Sequence, residues 1–137
     1  MTGSGVFGWP VRVYWEDTDA GGIVYYANYL KFFERSRTEW LRSLGIEQQA
    51  LRELTGGMFV VSQATVNYLQ SARLDDELLV TTSLLETGRA SLTIRQQALR
   101  RHNDAQIPLC EATIRACWVN AHGKPARIPP EILQKLP

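Results

Sequence analysis

The chain has 137 residues, enough for a single domain over residues 1–137 with a buried core. Its hydrophobic share of 45%, charged share of 21% and net charge of +1 are ordinary, and they give no reason to expect a nucleic-acid or anionic-membrane partner. No apolar run reaches the roughly 18 residues of a membrane span and residues 1–7 lack a signal-peptide pattern, so we expect a cytosolic protein with a flexible leader at about residues 1–7.

The first predicted elements are a short strand over residues 11–15, an acidic turn and then the only long helix. In the strand, Val11, Val13 and Trp15 alternate with polar or larger residues, as in a half-buried strand. In the helix, residues spaced three or four apart gather on one stripe. The predicted stripe consists of Tyr26, Tyr29, Leu30, Phe33, Ser36, Trp40, Leu41 and Leu44, and Gly45 is the predicted stop.

The rest of the chain reads as one short helix followed by four strands. The helix is predicted over residues 47–54, and the strands over residues 58–69, 77–86, 91–100 and 109–120. Short connections between these strands favour hairpins, so we expect an antiparallel sheet. One helix stripe packed on one sheet face gives a two-layer α+β domain.

Cysteine and histidine offer little chemistry. Cys110 and Cys117 are separated by an odd number of residues, so on one strand they point to opposite faces and cannot pair or share a metal. We interpret them as small buried hydrophobes. His102 and His122 fall in predicted turns, and we expect no metal site.

The turn "EDTDAGG" at residues 16–22 is the candidate for chemistry. The first turn of a helix leaves backbone N–H groups unpaired and carries a positive potential, which suits a carbonyl oxygen that becomes an anion. Gly21 and Gly22 allow a substrate to approach the backbone. An aspartate just upstream, ionised at neutral pH, can attack that carbonyl carbon or take a proton from water.

A purely structural interpretation competes with this one. Asp17, Thr18 and Asp19 are also good capping and turn residues, and a carboxylate near a helix N-terminus stabilises it by roughly 0.3–1 kcal/mol. The residues by themselves leave both interpretations open.

Two segments carry a resemblance to a known family. "VRVYWEDTDAGGIVYYANYLKFFERSRTEWLR" and "FVVSQATVNYLQSARLDDELLVTT" together resemble the 4-hydroxybenzoyl-CoA thioesterase family, and within it the Tol-Pal-associated acyl-CoA thioesterase branch. The resemblance implies a hot-dog fold, in which a five-stranded antiparallel sheet wraps one long helix. It also implies hydrolysis of acyl-CoA thioesters without a metal or organic cofactor.

The resemblance also implies the site residues. The second aspartate of the family's Asp-x-Asp pattern is catalytic and falls on Asp19, and the backbone N–H near Tyr26 polarises the thioester carbonyl. It further implies a homodimer or homotetramer whose acyl pocket lies between subunits, with acyl-CoA or possibly acyl carrier protein bearing the substrate. The implied substrate-binding residues are Gly22, Ile23, Val24 and Tyr25 at the helix start, Phe59, Val60 and Val61 from the other subunit, and Arg89 and Ser91 for the phosphates of coenzyme A.

One position departs from the branch pattern. Tyr26 stands where the branch often carries histidine, and a phenol donates hydrogen bonds but is no ready proton shuttle near neutral pH. A hot-dog hydratase, which needs a histidine at the helix, is disfavoured because no histidine precedes His102. A non-catalytic module that binds acyl carriers or envelope and lipid-synthesis partners stays open, since a fold alone does not fix function.

Overall fold

A five-stranded antiparallel sheet packs on one long helix in the computed structural model, which describes residues 5–137. The spatial order of the strands is β1-β3-β4-β5-β2, so β1 and β2 form the two edges. The strands are β1 Val6–Arg12, β2 Met58–Tyr68, β3 Glu77–Thr87, β4 Ser91–His102 and β5 Ala105–Val119, and the helices are α1 Asn28–Ser43, α2 Gln48–Thr55 and α3 Pro130–Leu133. No helix in this part of the chain is long and apolar enough to cross a membrane.

The first strand starts earlier than the sequence predicted. Val6 pairs with Ser83 and Phe7 pairs with Thr82 on β3, so the predicted leader is wrong for residues 6 and 7, while residues 1–4 lie outside the described part. The predicted strand at residues 11–15 is correspondingly displaced, because Trp15 begins a short 3-10 turn and is 78% exposed. The alternation of side chains indicates which of them share a face of the sheet, but the partner strand determines where pairing begins and ends.

The apolar stripe of α1 is rotated relative to the prediction. The helix begins at Asn28, so Tyr26 precedes it and is exposed, and Leu30 also faces outward. Phe32, which the pattern missed, is fully buried beside Phe33. The helix packs against three neighbouring strands, β1, β3 and β4, which is a wide enough surface to bury two adjacent residues. The buried residues of α1 are Tyr29, Phe32, Phe33, Ser36, Trp40 and Leu41.

The path of β2 also differs from the expected run of hairpins. All strands are antiparallel as predicted, but β2 pairs with β5, and no hairpin joins it to β3. After β2 the Leu69 and Gln70 N–H groups both donate to the Leu109 carbonyl of β5, and the chain then passes the start of α1, where the Ala72 N–H donates to the Tyr29 hydroxyl at 3.0 Å. β2 therefore lies at the far edge of the sheet, and Val61 and Tyr68 on its inner face are about half exposed.

The two cysteines lie on opposite faces of β5, as their spacing predicted. Cys110 is fully buried, whereas Cys117 is half-buried and donates to the Ser62 hydroxyl, so the buried interpretation holds only for Cys110. Burial raises the pKa of the Cys110 thiol to about 12.

Candidate active site

Asp17 is a structural anchor of the acidic turn. It is only 6% exposed, and its Oδ2 accepts a 2.8 Å hydrogen bond from the Tyr14 N–H. Its carbonyl accepts bonds from the Tyr25 N–H at 3.0 Å and from Asn28 Nδ2 at 2.8 Å. Asp17 therefore ties the turn to the start of α1, and its carboxylate does not face an incoming ligand.

Asp19 has the opposite environment. Its side chain is exposed, and among residues 5–137 it forms no ion pair. Oδ1 accepts a 2.8 Å bond from the Gly21 N–H, while the backbone of Asp19 is closed into a tight loop by the Ile23 carbonyl and the Gly22 N–H. The turn thus holds a negatively charged oxygen at the surface in a defined place.

The backbone just before α1 offers two unpaired donors within residues 5–137, at Tyr26 and at Ala27. The Val24 N–H donates to the Ala72 carbonyl and the Tyr25 N–H donates to the Asp17 carbonyl. The next N–H, that of Tyr26, has no hydrogen-bond partner within residues 5–137. Because it lies at the positive end of the helix dipole, this N–H can stabilise an oxyanion.

Aromatic side chains cluster near the start of α1. The ring centres of Tyr25 and Tyr26 lie 4.8 Å apart. The ring of Tyr68 contacts Tyr26 edge-on, with 6.0 Å between ring centres, and Tyr29 in a tilted arrangement at 5.8 Å. Hydrogen bonding with the Tyr26 hydroxyl raises the pKa of Tyr25 above its ordinary value. The contribution of Tyr68 was missed in the sequence because β2 reaches the helix start only through the tertiary fold.

The remaining predicted residues of this loop differ in what they offer a ligand. Val24 is buried, so its side chain belongs to the core and cannot line an open site. Ile23 is half-buried and forms a bridge to Arg73. Gly22 has a φ of 78° and would leave a Cβ in open space, which keeps the approach to the turn clear.

A second group of predicted residues lies at the other end of β2. Phe59, Val60 and Val61 line a cavity of about 230 Å³ beside α1, and the Phe59 ring packs edge-on against Trp118 at 5.1 Å. Ser91 belongs to the same end, because it pairs with Cys117, which pairs with Val60 in turn. Arg89 is exposed in the adjoining turn.

One chain does not bring the two groups together. Tyr68 stands nine positions after Phe59 on an extended strand, so roughly 30 Å of β2 separates the Asp19 end from the Phe59 end. The structure therefore places the two groups of predicted residues at opposite ends of the edge strand β2. No group of three or more histidine, cysteine or acidic side chains that could hold a metal occurs in the described residues.

Comparison with known proteins identifies the family. The sequence profile of the Thioesterase-like superfamily matches residues 13–136. The chain belongs to this superfamily. Acyl-CoA thioesterase YbgC from Haemophilus influenzae is 44% identical over 127 residues, which cover 92% of this chain and 90% of that protein. Acyl-CoA thioester hydrolase YbgC from Escherichia coli O6:H1 is 48% identical over 98 residues, 72% of each chain.

Solved structures of thioesterases have the same fold. A probable thioesterase from Bartonella henselae superposes with a TM-score of 0.83 at 33% identity, covering 90% of this chain and 99% of that one. A 4-hydroxybenzoyl CoA thioesterase variant complexed with 4-hydroxybenzoyl CoA gives a TM-score of 0.88, covering 98% of this chain and 100% of that one, at 18% identity. The thioesterase-like family and the hot-dog fold predicted from the sequence are confirmed.

Proposed function

We propose that this chain hydrolyses acyl-CoA thioesters, with Asp19 as the nucleophile or general base and the Tyr26 N–H as the oxyanion donor. The observation that supports it most is that one short loop carries both an exposed Asp19 carboxylate, which has no ion-pair partner among residues 5–137, and a Tyr26 N–H that has no hydrogen-bond partner in the same range. The YbgC relatives, 44% and 48% identical and named as thioester hydrolases, support the activity itself.

The chemistry follows from these two groups. If Asp19 attacks the thioester carbonyl, its oxygen forms a mixed anhydride and coenzyme A leaves as the thiolate, and water then releases the acid and restores the carboxylate. If Asp19 is the general base, it takes a proton from water as the water oxygen attacks the carbonyl carbon; the C–S bond then breaks, and coenzyme A leaves with that proton as the thiol. In both routes the Tyr26 N–H donates a hydrogen bond to the carbonyl oxygen, on which negative charge develops.

The proposed site is completed by a second copy of the chain. The open edge of β2, with Val61 and Tyr68 about half exposed on its inner face, supports edge-to-edge pairing. Antiparallel pairing of two β2 strands sets the Tyr68 end of one against the Phe59 end of the other. Phe59, Val60 and Val61 of the partner subunit then line the acyl pocket opposite Asp19, in a homodimer or in a homotetramer of two such dimers.

The carrier of the acyl group binds at the exposed end of the sheet near Arg89 and Ser91. Arg89 is exposed and the Ser91 hydroxyl faces Arg115, at 3.5 Å, so this end of the sheet offers charge and donors to the phosphates of coenzyme A. Acyl carrier protein, whose prosthetic arm ends in the same thiol, is the second possible carrier.

Thiol release from an acyl-CoA panel tests the proposal. Wild type is expected to release thiol, Asp19→Asn to lose the activity, and Glu16→Gln, an exposed carboxylate in the same turn, to keep it. Equal rates for wild type and Asp19→Asn would remove Asp19 from the mechanism. Absence of release from every ester by wild type would favour the non-catalytic binding module.

The dimer is tested separately. Val61→Lys places a charge on the inner face of the β2 edge, whereas Leu54→Lys places the same charge on α2, where Leu54 is 83% exposed. In sedimentation experiments Val61→Lys is expected to shift the protein toward the monomer and lower its activity, and Leu54→Lys to do neither. A wild-type protein that is active and strictly monomeric contradicts the shared site.

A further inference from the structure

The cavity beside β2 has one polar end. It lies between the second half of α1 and the inner face of the sheet, and its apolar wall includes Phe59, Leu92 and Ile94. Two charged side chains of α1, Glu34 and Arg37, line the same space. At about 230 Å³ it is smaller than the roughly 300–1,000 Å³ of sites for drug-sized ligands, so it suits a short acyl chain.

The positive charge and the N–H donors of Arg37 have few partners among the described residues. Its guanidinium donates a single 3.0 Å hydrogen bond, from Nη1 to Gln96 Oε1, and no carboxylate among residues 5–137 lies within ion-pair distance. A guanidinium has five N–H donors, so most of them have no protein acceptor. Desolvation by burial, partly offset by Glu34, lowers the pKa of Arg37, as expected for a cation held away from water.

Gln96 fixes the position of that guanidinium. Gln96 is fully buried, and its Nε2 donates to the Phe33 carbonyl at 2.9 Å and to the Thr82 hydroxyl at 2.8 Å. Because the Phe33 carbonyl can only accept, the amide has one orientation, and Oε1 must point toward Arg37. The Arg37 donors that remain are therefore held at the cavity by a rigid, buried support.

We propose that Arg37 is a specificity-determining residue, which donates hydrogen bonds to an oxygen acceptor at the far end of the acyl group. The cavity then takes short oxygenated acyl chains in preference to alkyl chains of the same shape. This inference rests on the proposed function, because the cavity of one subunit must receive the acyl group attached to the thioester at Asp19 of the other.

The preference has a direct physical origin. An alkyl group placed against the half-buried Arg37 displaces water from its donors and leaves them without an acceptor, whereas a carbonyl or hydroxyl oxygen satisfies them. Hydrogen bonds to a charged donor justify an expected discrimination of about 10- to 100-fold.

Matched esters test the proposal. Wild type is assayed with 4-oxopentanoyl-CoA and 4-methylpentanoyl-CoA, which have the same shape but differ in one oxygen, and with the pair two carbons longer. We expect kcat/KM to favour the oxo ester of at least one pair by about tenfold or more. Arg37→Met, which keeps the length of the side chain and removes the donors, is expected to bring that ratio close to one.

The control is Arg35→Met, on the same helix. Arg35 is exposed, lies over the Phe32 ring and does not line the cavity, so the ratio should stay at the wild-type value. No preference in wild type overturns the proposal. An equal loss of kcat/KM for both esters in Arg37→Met overturns it as well, because that result indicates a structural effect. The same change of the ratio in Arg35→Met also overturns it, because that result indicates a general charge effect.

Failure of the proposed function gives a different result. If wild type releases no thiol from any ester, hydrolysis is excluded, and the ratio of Kd values for the two intact esters, measured by calorimetry, then decides the role of Arg37. A ratio near one, or no binding of either ester, overturns the inference, and a preference for the oxo ester that Arg37→Met removes supports it.

Discussion

The Gly21 N–H donates a 2.8 Å hydrogen bond to Oδ1 of Asp19, while Oδ2 has no partner within residues 5–137. One carboxylate oxygen is thus held by the turn and the other faces solvent. Asp19→Asn can keep the Gly21 bond through its amide oxygen but loses the nucleophilic or basic oxygen. We expect thiol release to fall at least about 100-fold, with an unchanged urea midpoint of unfolding. A large loss of stability instead would give Asp19 a structural role.

Gly21→Ala should affect activity more than stability. A methyl group at this position would lie 3.3 Å from Asp19 Oδ1 and would meet no other neighbour within 4 Å. The carboxylate must shift by a few tenths of an ångström, and we expect kcat to fall about tenfold, since small misplacements of a reacting group are costly. Gly22→Ala is the comparison: its φ of 78° predicts a stability loss of about 1 kcal/mol from backbone strain.

Asp17→Asn should lower the stability of the protein, whereas Asp19→Asn should lower its activity. The buried Asp17 carboxylate accepts the Tyr14 N–H, and a neutral amide weakens this charge-assisted bond and brings an N–H₂ group that needs an acceptor. We expect the free energy of unfolding to fall by about 1–3 kcal/mol, measured by urea denaturation. A variant as stable as wild type would mean that Asp17 does not anchor the turn.

Gln96→Leu should destabilise the core below α1. It removes the only acceptor of Arg37 among residues 5–137 and the donor to the Thr82 hydroxyl, so we expect a loss of about 1–3 kcal/mol in chemical denaturation. The neighbouring Gln97 points to the other face of β4 and bonds Glu111 near the surface. Gln97→Leu should therefore change stability by less than about 1 kcal/mol. Equal effects of the two substitutions would argue against a special role of the Gln96 amide.

The two cysteines should differ in reactivity. Burial raises the pKa of Cys110 from 9.0 to about 12, so at pH 8 its thiol stays protonated as well as inaccessible. A disulfide reagent such as dithionitrobenzoate is expected to modify Cys117 alone in the native protein and both cysteines in urea.

The raised pKa also gives a pH dependence with a definite sign. The fold excludes the thiolate form of Cys110, so this contribution to stability is complete below about pH 9 and is lost as the pH rises toward about 12. Cys110→Ala should flatten that part of the profile of unfolding free energy against pH. An unchanged profile would assign the alkaline loss to other groups, such as the tyrosines.

Sequence patterns identified the elements but misplaced several boundaries. The strand over residues 91–100 and the short helix near residues 47–54 were predicted almost as they occur, because each is an uninterrupted local pattern. The prediction that the leader extends to about residue 7 was wrong, because Val6 pairs with Ser83, a residue that is distant in the chain. Arg37 gave no signal at all, since an arginine on a helix is usually solvated.

The sequence by itself determined the family, the long helix, the antiparallel strands and the acidic turn that precedes the helix. The helix, the strands and the turn follow from periodicity and from residue types over short distances along the chain, and the family follows from the resemblance of two segments to its sequence pattern. Only the tertiary structure decided that Asp17 is buried while Asp19 is exposed, that β2 occupies a free edge, and that Arg37 faces a cavity. Burial and pairing depend on segments distant in the chain, because desolvation of a side chain is set by whichever neighbours the fold brings to it.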